Sequence, residues 1–166
     1  VDLLDGVTLD LPAGSTTALV GPSGIGKSTL AALMMKFVVP RAGEVRLVDG
    51  DTEIRFADLA GDEVRRHVGW CAQDAHVFDS TVRANLLLAR TGASDEQLWQ
   101  ALRDARLEAF VRSLPQGLDS LVGEHGRSLS GGERQRLALA RVLLAHRSIV
   151  VFDEPTEHVD DDTARE

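Results

Sequence analysis

Short, nearly continuous apolar runs and longer amphipathic stretches divide this chain, and the two patterns predict different elements. "GSTTALVG" is an apolar run bounded by Gly14 and Gly21, the pattern of a strand buried on both faces of a parallel sheet. A glycine-rich turn follows it. From Lys27, "KSTLAALMMKFV" has helix-forming composition and stops before Pro40, so the local order is strand, loop, helix. "GEVRLVDG" and "HVGWCAQD" read as further strands. Beyond Phe78 the period changes to helical, with "TVRANLLLA" and then "SDEQLWQALRDA", which opens on a Ser94-x-x-Gln97 capping box and sets Leu98, Leu102 and Ala105 on one face. Leu107, Phe110, Val111 and Leu114 continue at helical spacing. "SIVVFDEP", closed by two acids and a proline, predicts another central strand. The plan is an α/β core, a helical insertion, then core again, with no internal repeat or low-complexity segment.

Composition narrows the class. At 166 residues and 43% hydrophobic content the chain fits one domain with one sizeable core. No apolar run approaches the ~20 residues that span a bilayer, and no basic leader with a cleavage site is visible, so a membrane part is expected outside this chain. The sequence opens on Val1 and breaks off in "DDDTARE" as a helix begins, which predicts truncation at both ends. Cys71 is the single cysteine, fitting a reducing cytosol and an apolar packing role. A net charge of −8 without a Lys/Arg cluster and interleaved aromatics argues against a nucleic-acid partner. His67, His76, His125 and His146 are scattered without metal-ligand spacing, so no zinc site is expected.

The sharpest chemistry is "GPSGIGKST": Gly21, Pro22, Ser23, Gly24, Ile25, Gly26, Lys27, Ser28 and Thr29 fit G-x-x-x-x-G-K-[ST] between a predicted strand and helix. Glycines let the loop turn its N–H groups around a phosphate chain, and the helix start adds roughly half a positive charge. Lys27 can reach the β- and γ-phosphates, and the Ser28 hydroxyl can ligate Mg²⁺. In "IVVFDEPT", Asp153 ends a predicted buried strand, where open α/β sheets place ligands, and its carboxylate can hold Mg²⁺ directly or through water. Glu154 would point to the other side of the strand end, placed to polarise a water in line with the γ-phosphate. Taken alone, an acidic strand cap before a Pro turn explains these two acids equally well.

Three motifs in one order, Gly21–Thr29, "LSGGE" at Leu129–Glu133 and "DEPT" at Asp153–Thr156, resemble the nucleotide-binding domain of ATP-binding cassette proteins over essentially the whole chain. The resemblance implies a P-loop NTPase (RecA-like) α/β core with a parallel sheet, an antiparallel β portion and an inserted α-helical subdomain. Residues 1–74 and 147–166 would form the ATP-binding core, and 75–146 the helical subdomain with the signature. It implies that Gln73 approaches Mg²⁺ and the attacking water, and that Asp160 lies in a loop crossing a dimer interface. It also implies a second copy or homologue arranged head to tail, so that Ser130, Gly131, Gly132 and Glu133 close on the γ-phosphate held by the partner's P-loop. Local chemistry agrees: Ser130 and Glu133 form a capping box, and the two glycines let N–H groups approach a phosphate. Glu133 stands where the commonest family pattern has glutamine.

Two further segments resemble exporter-type domains: "VGE-x-G" at Val122–Gly126, where Glu124 would face a transmembrane domain, and "T-[IV]-R-x-N-[IL]" at Thr81–Leu86. "DEPTEHVD" resembles the CydDC-type heterodimeric exporters of cysteine and glutathione. The family's adenine-stacking aromatic would lie upstream of Val1 and its switch histidine downstream of Glu166; His158 falls within the interface loop and does not replace it.

The resulting expectation is an ATPase with ATP and Mg²⁺ as cofactors, the motor of a membrane exporter on the cytoplasmic side of the inner membrane. Lys27, Gln73 and Glu154 would act in hydrolysis, and Ser28, Gln73 and Asp153 around the metal. One alternative is an ATP-gated clamp acting on DNA or ribosomes, which predicts basic surfaces or long arms and has no use for Glu124. A second is a non-hydrolysing binding subunit, which Glu154 argues against.

Overall fold

Leu98 and Leu102 lie one helical turn apart and both are fully buried, so the amphipathic stripe read from the sequence does face a core. The computed structural model describes residues 3–72 and 76–153. The chain forms two compact units, Val1–Arg65 and Arg66–Glu166.

In the first unit, α1 (Lys27–Met34) is followed by an antiparallel hairpin of β1 (Arg46–Asp49) and β2 (Thr52–Arg55), in register from Arg46↔Arg55 to Asp49↔Thr52. A 3₁₀ turn, Phe56–Asp58, leads to α2 (Gly61–His67), which runs across the unit boundary. The helix expected through Val38 stops at Met34. Phe37 N–H donates to Ala32 O (2.9 Å) and Lys36 takes a left-handed φ of 53°, a Schellman-type ending that satisfies carbonyls the helix would leave orphaned. The Lys36 ammonium then fixes the next segment by donating to Phe56 O at 2.5 Å and to Leu59 O.

The strand expected at 15–20 is not formed. Those residues pair with no strand among the described ones, and Val20 is 93% exposed. An apolar run supplies a face to bury, but a strand exists only where a neighbouring backbone completes its ladder.

In the second unit, β3 (Val68–Cys71) pairs in parallel with β6 (Ile149–Phe152), and the connection between them carries the helices. These are α3 (Val82–Leu87), α4 (Asp95–Asp104), α5 (Glu108–Ser113) and α6 (Gly131–Leu144), with a short antiparallel pair, β4 (Ser80–Thr81) and β5 (Leu121–Val122). Parallel pairing requires such a long crossover. Leu86, Leu98, Leu102, Leu107, Val111, Leu137 and Leu144 build one core between the helices. Side-chain caps start three of them: Thr81 Oγ1 accepts from Ala84 N–H (3.0 Å), and Ser94 and Ser130 open full capping boxes with Gln97 and Glu133. β6 is less enclosed than its apolar run predicts: it is half-buried and Phe152 is exposed, because β3 is its one partner among the described residues. No helix among the described residues is long and apolar enough to cross a membrane.

Candidate functional site

The first unit carries the phosphate-loop candidate at the start of α1. Gly24 (φ 81°) and Gly26 (φ 107°) hold backbone conformations that side chains rarely adopt, and Gly26 is the N-cap. A Cβ on Gly26 would also sit 2.8 Å from Leu4 Cδ2. No side chain caps α1, in contrast to α3, α4 and α6, so the N–H groups of Lys27, Ser28 and Thr29 remain for an anion. The Lys27 ammonium curls back to donate to Gly21 O (2.8 Å) and Pro22 O (3.0 Å), which keeps a positive charge within the loop. Pro22, Ser23, Gly24, Ile25 and Ser28 are exposed. Uncapped donors, an ammonium and a glycine-shaped turn fit a polyphosphate. The exposed Ser28 hydroxyl fits a hard divalent cation that keeps most of its ligands as water and phosphate oxygen. Such a cation needs no dense protein cage, and no cluster of three or more His, Cys, Asp or Glu side chains able to hold a metal exists among the described residues.

The second unit carries the signature segment and Asp153. Ser130 Oγ accepts from Glu133 N–H (3.3 Å), and Glu133 Oε2 accepts from Ser130 N–H (2.7 Å), so the predicted capping box is formed. Accepting that bond leaves the hydroxyl proton free to donate outward, and Ser130 is exposed. Buried Leu129 and the Arg134 bond to Leu129 O (2.7 Å) anchor the loop just ahead of it. Gly131 and Gly132 form the first turn, with the Arg136 guanidinium lying over Gly132. Asp153 follows β6, half-buried, its N–H donating to Cys71 O at 3.0 Å and so extending the β3–β6 ladder by one bond. Cys71 is buried, its thiol pushed up to about 11 by desolvation, consistent with a packing role. Gln73, Glu154, His158 and Asp160 lie outside the described residues.

The segment around Glu124 is built by close backbone approach. Gly123 has φ 106° and a Cβ there would meet Asp79 Cα at 2.8 Å; a Cβ on Gly126 would lie 2.4 Å from Leu121 C. Asp79 clasps the turn by accepting from His125 N–H (2.9 Å) and pairing with His125 Nδ1 (2.5 Å). Those bonds, the backbone one foremost, hold the Asp79 carboxyl below its ordinary pKa. Glu124 is exposed at the tip. Sequence reasoning placed Glu124, Arg83 and Asn85 within motifs but gave Arg83 no partner and missed Asp79 and Arg141, whose partners are remote in the chain. Arg83 bridges Asp95 and Asp119 (2.7 Å to the latter), and its guanidinium lowers both carboxyls.

A family model described as ABC transporter matches residues 4–157. The chain belongs to the ABC transporter family. Its fold is that of the ABC ATPase domain, a P-loop NTPase fold. The solved "Structure of a bacterial Atm1-family ABC exporter with ATP bound" aligns with a TM-score of 0.77 and 40% identity over 87% of this chain and 24% of that one. Among curated relatives, "ATP-dependent lipid A-core flippase" of Chromobacterium violaceum is 41% identical over 98% of this chain and 27% of its own length. "Iron-sulfur clusters transporter ATM1, mitochondrial" of Kluyveromyces lactis is 43% identical over 98% of this chain and 22% of its own. The ABC domain described here therefore spans 22–28% of the length of such relatives. These matches make it an ABC transporter ATPase domain.

Proposed function

We propose that this domain is the ATP-hydrolysing motor of an Atm1-like exporter and works as a head-to-tail pair. The observation that carries the reading is the contrast between two helix starts in one chain. α1 begins without a side-chain cap and with Lys27 in its loop, whereas α6 begins fully capped, glycine-rich and without a lysine, but with an outward-facing Ser130. The first suits a phosphate chain held within the chain; the second suits a γ-phosphate already neutralised by someone else's lysine.

In this reading the α1 start and Lys27 hold the β- and γ-phosphates, Ser28 and Asp153 hold Mg²⁺, and Glu154 orients water for in-line attack, with Gln73 beside it. Ser130 and the N–H groups at Gly131 and Gly132 stabilise the charge that spreads over the transferred phosphoryl oxygens on the partner's nucleotide. Asp160 contributes at the dimer interface. MgATP supplies the phosphoanhydride whose hydrolysis reopens the pair. Glu124 faces the transmembrane domain, on the cytoplasmic side of the membrane, and closure drives that part. Residues 1–74 and 147–166 serve as nucleotide core and 75–146 as the helical subdomain. The relatives' names give cargoes as unlike as lipid A-core and iron-sulfur clusters. A thiol cargo, expected from "DEPTEHVD", gains no support from them, and cargo choice is assigned to membrane helices.

Light scattering on Glu154→Gln with and without MgATP tests the reading. An ATP-dependent dimer, abolished by Ser130→Arg, is expected; a protein that binds MgATP and stays monomeric refutes self-pairing.

A further inference from the structure

Arg141 lies on α6, about 16 Å along the helix from Ser130 at 1.5 Å per residue. Its guanidinium enters a nest of carbonyls. Its Nε donates to Asn85 O (2.9 Å), Nη1 to His76 O (2.6 Å) and Nη2 to Asn85 Oδ1, and its guanidinium stands 5.7 Å from the Phe78 ring centroid. Asn85 O is one of the carbonyls that α3 leaves without an intrahelical partner, so Arg141 caps α3 from a different helix. Asn85 is 1% exposed and completes the clasp from the other side: Oδ1 accepts from Phe78 N–H (3.0 Å), and Nδ2 donates to Phe78 O and Thr81 O (both 2.9 Å).

Segment 76–81 is thus tied to α6 at one end. At its other end Asp79 holds His125, and β4 pairs with β5, which leads into the turn bearing Glu124. Hydrogen bonds between His125 and Asp79, the backbone step to Phe78, and hydrogen bonds between Phe78 and Asn85 and between Asn85 and Arg141 therefore join the exposed Glu124 turn to the helix that presents Ser130. Nothing in the roles assigned above uses this linkage.

We propose that Arg141 is a positioning residue for hydrolysis: with Asn85 it locks segment 76–81 to α6, so that the Glu124 turn and Ser130 shift as one piece. This rests on the motor reading for its consequence, and on the hydrogen bonds for its geometry. A lysine cannot replace Arg141, because one ammonium cannot reach separated carbonyls as a planar fork does. The linkage is serial, so its members act through one another.

The test measures kcat and KM for MgATP hydrolysis, thermal midpoint, and amide exchange in Arg141→Lys, Asp79→Ala and the double variant. For Arg141→Lys, kcat is expected to fall roughly tenfold, within the span that coupling substitutions produce, with KM within about twofold. The thermal midpoint should fall by only a few degrees, because the lysine ammonium keeps one of the charge-assisted bonds. Amides of 76–81 and 121–127 should exchange faster together, and the double variant should lose no more activity than the worse single one. Unchanged kcat, a loss of kcat matched by a collapse in thermal midpoint, or fully additive losses would each overturn the proposal. If the unmodified protein hydrolyses no MgATP, the motor reading is what fails, and exchange alone decides the positioning role. In that case wild-type rates at 76–81 in Arg141→Lys refute it and faster exchange upholds it.

Discussion

Ser130 has two separable duties, and substitution can divide them. Its hydroxyl oxygen caps α6 by accepting from Glu133 N–H at 3.3 Å, while its proton is free for an external phosphate. Ser130→Ala removes both. Loss of an N-cap costs about 1 kcal/mol (range ~0.5–2), which lowers the thermal midpoint by about 2–4 °C in a domain of this size. Ser130→Asp keeps the cap, since aspartate is as good an N-cap as serine and the helix start favours its charge. It should therefore hold the midpoint within about 1 °C, the remaining penalty being repulsion from Glu133. Against a γ-phosphate the same carboxylate is a like charge. At about 4 Å and an effective dielectric of ~20 the repulsion is about 4 kcal/mol, close to a thousandfold in association. In the Glu154→Gln background, Ser130→Asp is thus expected to match the parent in thermal unfolding and in nucleotide affinity of the monomer, yet to form no dimer with MgATP by light scattering. A Ser130→Asp protein that dimerises with MgATP as readily as its parent refutes the assignment of this turn to a partner's phosphate. A Ser130→Asp protein that unfolds as early as Ser130→Ala refutes the capping argument.

Three other outcomes follow from the geometry. Gly126→Ala places a Cβ 2.4 Å from Leu121 C, a backbone atom that cannot rotate away, so it should cost about 1–3 kcal/mol and lower the midpoint by several degrees in a melting curve. Gly26→Ala forces a side chain into φ 107°, roughly 1–3 kcal/mol of strain; nucleotide affinity by fluorescence titration should fall about tenfold or more, and wild-type affinity would sink the loop argument. Asp79, Asp95 and Asp119 have folded-state pKa values below their ordinary 3.8, through His125 for the first and Arg83 for the others. Depressed carboxyl pKa values give stability that is present above 3.8 and lost as pH falls through the lower folded values. Thermal midpoints scanned from pH 6 downward should stay level to about 4 and then drop, and Arg83→Gln should flatten that drop.

The sequence by itself determined whatever depends on neighbours three or four positions away. The start of α1 at Lys27 after Gly26 and the Ser94/Gln97 and Ser130/Glu133 capping boxes lie within one turn, and the spacing of one helix sets Leu98, Leu102 and Ala105 on one face. Their chemistry is written in adjacent letters, and the three motifs sufficed for the family. Tertiary structure decided what needs a distant partner. The run at 15–20 had strand composition but lacks a ladder among the described residues, while "IVVF" found one in Val68–Cys71. The partners of Asp79, Arg141 and the motif arginine Arg83 were not legible, because a charge in a sequence does not name its partner. Only folding brings Arg141 to His76 and Asn85, and Asp79 to His125, since those bonds close long loops that no local period encodes.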